Sequence, residues 1–115
     1  MKTVLVKIEG ELKPGDMLIV SHEHPRGGRG NARFDVPPEI DRIVTVNGHK
    51  TVETTKTTMR EAISRLVTEA NKWDGFKAVQ RNDNEFVVQC SDAVDVVKFF
   101  NYSTGGQKVT IEELG

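Results

Sequence analysis

Residues 43–90 spell out a succession of elements with little ambiguity, and that succession limits the folds open to the chain. Asn47-Gly48 separates two β-rich runs, 40–46 and 49–54. A type I′ turn needs positive φ at both central residues, which Asn and Gly tolerate, so the segment predicts a hairpin. Thr58 with Glu61 three residues on forms a capping box, each side chain satisfying a backbone donor at a helix start. Met59, Ala62, Ile63, Leu66, Val67, Ala70 and Trp73 then recur at three- and four-residue steps, with Arg60, Ser64, Arg65, Glu69 and Lys72 opposite. That is one amphipathic helix with a single face for a core. Asp74-Gly75 predicts its stop, the glycine taking the left-handed position after the last turn. Residues 76–80 and 85–90 flank Arg81-Asn82-Asp83-Asn84 as a second hairpin. The sum is a β-β-α-β-β unit in which nothing looks like reaction chemistry.

Around this unit the pattern is mostly strand. Residues 3–9 alternate, with Val4, Val6 and Ile8 on one face. Lys13-Pro14-Gly15-Asp16 is a turn, since Pro presets φ and Gly permits a positive value next. Met17-Leu18-Ile19-Val20 reads as a short strand buried on both sides, predicted to form a hairpin with the first. Residues 21–39 hold glycines 27, 28 and 30, prolines 25, 37 and 38, and arginines 26, 29 and 33, without a visible period. They read as one long Gly/Pro/Arg-rich loop, of a length that in compact domains points to function or disorder, with Phe34 pinning its far end to the core. Residues 91–102 read as a short helix or irregular segment, with a strand through Val96-Val97 as the other reading. Residues 107–113 form a closing strand with Val109 and Ile111 inward.

The chain of 115 residues is read as one domain. Sixteen basic residues against 17 acidic ones give a net charge of −1, so nothing draws the whole chain to nucleic acid or membrane. No apolar run approaches the roughly 20 residues of a spanning helix. The first seven residues break at Lys7, lack a cleavage-site pattern and read as a strand. Cys90 is the only cysteine, which excludes an internal disulfide. With Phe86 and Val88 on its face it is expected to be a buried small hydrophobe.

Two groups could carry chemistry. His22 and His24, at i and i+2 on extended chain, point the same way and could reach one ion. A closed site needs three or four ligands, and His49 is the only other histidine, so no metal site is assigned. Arg26-Gly27-Gly28-Arg29-Gly30 is similar to an arginine–glycine element that contacts phosphates and stacks on bases, but in a single copy with no aromatic before Phe34. No Lys-Ser/Thr follows to make a phosphate loop. No carboxylate pair or Ser/His/Asp arrangement stands out, so no catalytic residue, enzyme activity or cofactor is expected.

Taken together, Pro14-Gly15-Asp16, Val44 to Gly48, the threonines between 51 and 58, the helix with Asn71, and residues 76–90 resemble modules in tail, baseplate and nozzle proteins of tailed bacteriophages. The resemblance covers about the whole chain and transfers no catalytic residue. Here the helix is more charged and the 21–39 segment longer and more basic than in those modules. The resemblance implies a small virion structural protein of the tail, neck or capsid decoration, made in the host cytoplasm. It would act by symmetric assembly with copies of itself and other virion proteins through sheet edges and loops. The candidate binding residues are Arg26, Arg29, Arg33 and Phe34, with His22 and His24 beside them; in a symmetric trimer two histidines would become six. The alternatives are a nucleic-acid-binding module using the arginine loop and a small inhibitor of a host protein. The expected fold is α+β: a mainly antiparallel sheet, as a partial barrel or sandwich, with one principal helix packed on it.

Overall fold

Nine strands and one helix form among the described residues, which are 2–25, 28–91, 96 and 98–114 of a computed structural model. In chain order they are β1 (Lys2–Glu9), β2 (Met17–Glu23), β3 (Arg29–Asp35), β4 (Ile40–Val46), β5 (His49–Thr55), α1 (Met59–Ala70), β6 (Phe76–Gln80), β7 (Glu85–Cys90), β8 (Lys98–Ser103) and β9 (Lys108–Glu113). One sheet has the order β6-β7-β1-β9, a second β3-β2-β8, and β4 pairs only with β5. Every pairing is antiparallel, and none of the sheets closes into a barrel. The fold is α+β with one helix, which packs on β3, β6 and β7.

The alternations on β1 and β7 meet in register. Val4 lies opposite Val88 and Val6 opposite Phe86, and all four are buried. Leu18, Val20 and Ala32 close the core from the second sheet, and Ala62, Ile63, Leu66 and Ala70 from the helix. Thr58 accepts the Glu61 backbone N–H at 3.2 Å as the helix cap. Each large side chain so buried contributes about 1.5–3 kcal/mol.

Several sequence expectations are corrected. β1 and β2 do not form a hairpin; they lie in different sheets, because the apolar face of β1 is matched by β7 and β9. The turn itself is present, with Gly15 at φ 87° and Asp16 N–H donating to Lys13 O at 3.0 Å, but residues 10–16 serve to cross between sheets. Gln107 anchors that crossing, donating to Glu11 O at 2.6 Å and to Asp16 Oδ2 at 2.7 Å. In β2, Leu18 and Val20 are buried while Met17 and Ile19 are half-buried, and Val20, Ser21 and His22 are buried in succession. The helix ends at Ala70, short of Asp74-Gly75, because the Asn71 side chain turns to β6: it accepts from Ala78 N–H at 2.8 Å and donates to Ala78 O at 2.9 Å. Gly75, at φ 81°, supplies the turn into β6 instead. Residues 98–103 are strand; Asp92–Asp95 and Val97, where a short helix was expected, lie outside the described residues. Cys90 is buried and free, and burial pushes its thiol pKa up.

Candidate functional site

The 21–39 segment is not one long loop. β2 continues to Glu23, β3 begins at Arg29, and the two pair from Met17↔Asp35 to Glu23↔Arg29. The histidines explain the glycines opposite them. His22 pairs with Gly30, and His24 N–H donates to Gly28 O at 2.8 Å. A Cβ on Gly30 would collide with His22 Nε2, and one on Gly28 would press on His24 Cδ2 at 3.1 Å. Two of the glycines of the Arg-Gly motif are therefore room for imidazole rings.

His22 is 4% exposed and sits in an aromatic cluster. Its ring centroid lies 4.5 Å from Trp73, 4.3 Å from Phe76, 5.0 Å from His24 and 6.1 Å from Phe99. Neither ring nitrogen has a hydrogen-bond partner. Burial, with His24 as the lesser cause, pushes its pKa down to about 4, so it is neutral at pH 7 and packs as an aromatic. Trp73 closes the cluster and donates from Nε1 to Asn31 O at 3.3 Å. A cleft of about 280 Å³ opens beside it, bordered by His24, Arg29 and Asp74. Among the described residues no group of three or more His, Cys, Asp or Glu side chains is placed to hold a metal ion.

Of the sequence-selected arginines, Arg29 and Arg33 stand on the same exposed face of β3, each in an ion pair. Arg29 pairs with Glu23 at 2.5 Å and lies 5.3 Å from the Phe100 ring centroid. That bond, with Lys98 close by, holds the Glu23 carboxyl below the usual carboxylate range. Arg33 pairs with Asp35 at 3.0 Å. Phe34 is half-buried and packs on the core, as expected. Arg26 lies outside the described residues.

The exposed apolar surface is elsewhere. β4 and β5 form a hairpin arm joined by Asn47-Gly48, with φ 53° and 79°, as the sequence predicts. The arm does not join the sheet of β6 and β7, and among the described elements it packs appreciably only on itself. Ile40, Ile43, Val46 and Val52 on it are 64%, 71%, 55% and 68% exposed. Seven pairs extend about 23 Å at the usual rise, and the molecule measures 61 × 24 × 21 Å. Its radius of gyration, 17.1 Å, exceeds the about 13 Å of a compact domain this long.

Sequence reasoning passed over these four residues because the hairpin signal was satisfied locally. The signal available was the lack of one polar face: β4 reads Ile-Asp-Arg-Ile-Val-Thr-Val, which puts apolar side chains on both sides of the ribbon. No helix of the described residues is long and apolar enough to cross a membrane. Comparison with protein-family models, with curated proteins and with solved structures finds no match for this chain.

Proposed function

We propose that the chain is a structural assembly protein that binds copies of itself through the β4–β5 arm. The observation that carries this reading is the arm's four exposed aliphatic residues on a hairpin that, among the described elements, packs appreciably only on itself. An isolated two-stranded ribbon is marginal in water. Large aliphatic groups held in water on such a ribbon mark a surface that another molecule covers. The placement of this assembly in a tailed-phage virion rests on the sequence resemblance alone. No catalytic role is part of the reading. Nucleic-acid binding through the arginines is the weaker alternative, since Arg29 and Arg33 already neutralise Glu23 and Asp35.

Light scattering after size-exclusion chromatography, over a concentration series, tests the proposal. The native chain is expected to rise in mean mass with concentration. A variant carrying Ile40→Thr, Ile43→Thr, Val46→Thr and Val52→Thr should stay monomeric with an unchanged far-ultraviolet spectrum, since threonine keeps the strand preference. A native chain that remains monomeric throughout, or a variant that assembles equally well, overturns the reading.

A further inference from the structure

We infer that the arm docks face to face on the arm of a second copy, antiparallel, through the Ile43–Val52 face. This rests on the assembly reading above and names its partner surface.

Register and alternation divide the arm into two faces. One carries the cross-strand pairs Asp41/Thr54, Ile43/Val52 and Thr45/Lys50. The other carries Ile40/Thr55, Arg42/Glu53, Val44/Thr51 and Val46/His49. The second face has more aliphatic groups, but the Arg42–Glu53 ion pair, at 3.3 Å, sits in its middle. Covering that face would strip water from an ion pair, which costs more than the mutual attraction returns unless the geometry is ideal. The first face has its charges at the ends and its two most exposed aliphatic residues, Ile43 and Val52, at the centre.

That order is self-complementary. A two-fold axis running across the strands at the Ile43/Val52 pair lays this pair on its own copy. It also brings the Asp41/Thr54 end of each arm over the Thr45/Lys50 end of the other. Asp41 and the second copy's lysine at position 50 then stand diagonally opposed, twice per pair of arms, the isologous pattern a two-fold contact requires. The four charged residues of the arm, Asp41, Arg42, Lys50 and Glu53, sum to zero, so two arms approach without net repulsion. Four aliphatic side chains make a small contact, which sets the affinity low and makes it concentration-dependent.

Charge reversal across the copies tests the geometry. Asp41→Lys alone and Lys50→Asp alone should each raise the dissociation constant of self-association at least tenfold, because each places like charges at both ends. Mixing the two variants one to one should restore association to near the native value, because only the mixed pair is complementary at both ends. Ile43→Thr with Val52→Thr should abolish association, and Ile40→Thr with Val46→Thr should leave it. If the Ile43/Val52 variant dissociates the protein but mixing fails to rescue, the arm assembles in another geometry and this inference falls while the assembly reading stands. If no arm variant changes the mass, or the native chain is monomeric, both fall.

Discussion

Acidification from pH 7.5 to 4.5 probes how His22 is housed. In the unfolded chain its imidazole titrates near the ordinary 6.5, and in the fold burial holds it down to about 4. The folded pKa is the depressed one, so folded protein binds the proton less well than unfolded chain. The stability due to His22 is therefore complete above about pH 6.5 and is lost as the pH falls toward 4. At pH 4.5 the loss comes to about 2–3 kcal/mol, taking 1.36 kcal/mol per pH unit and allowing for partial protonation of the fold. Carboxylates contribute below this window: Glu9, Asp16 and Glu23 are held under their ordinary values, by Lys7, Gln107 and Arg29 first among the causes, and lose stability at still lower pH. Urea unfolding of the native protein and of His22→Phe at half-unit steps isolates the histidine. The native protein should lose about 2–3 kcal/mol more than the variant between pH 7 and 4.5. Parallel curves would mean that water or another group reaches the ring nitrogens, and the account of a dry, unpartnered imidazole would be wrong.

Other consequences can be checked in the same unfolding assay. Gly30→Ala should cost about 1–3 kcal/mol through overpacking against His22, and much less in a His22→Ala background, a coupling that a double-mutant cycle measures directly. Leu66→Ala removes a fully buried side chain from the helix face and should cost about 3–5 kcal/mol. Asn71→Ala deletes both bonds to Ala78 and should cost about 1–3 kcal/mol, with faster amide exchange of Ala78 as its local sign.

What was legible in the sequence was what is decided locally. The Thr58 half of the capping box, the apolar stripe as far as Ala70 and the Asn47-Gly48 turn are found where the sequence puts them, because caps, helical period and two-residue turns are settled by neighbours within a few residues. Strand partners are not: β1 joins β7 and β9, both more than 75 residues away in sequence, and no local pattern distinguishes them from β2. β3 was missed for a different reason. Its inward positions are Gly30, Ala32 and Phe34, two of them small, so alternation is hidden where imidazoles from β2 fill the space instead of large residues on β3. The histidine pair was visible as a motif, but the burial of His22 among Trp73, Phe76 and Phe99 depends on three elements meeting.

The treatment of sheet edges ties these observations to assembly. An unprotected edge strand invites pairing with another chain, and folds ordinarily cover or break such edges. In this protein β6 has its outward N–H and C=O at Ala78 clamped by Asn71, and β3 lies against α1. β8 and β9, the remaining edges of the two body sheets, lie against one another. All four body edges are thus attended to by neighbouring structure. Among the described residues the arm alone has two edges without a strand partner and two wet faces, with no proline and no ion pair within either strand other than Arg42–Glu53, on the face argued to remain in water. Among the described residues none of the core side chains comes from β4 or β5. Within the arm the Ile43/Val52 cross-strand pair contributes only about 0.2–1 kcal/mol, so the proposed contact between copies is the reading that gives the exposure of these two side chains a larger use.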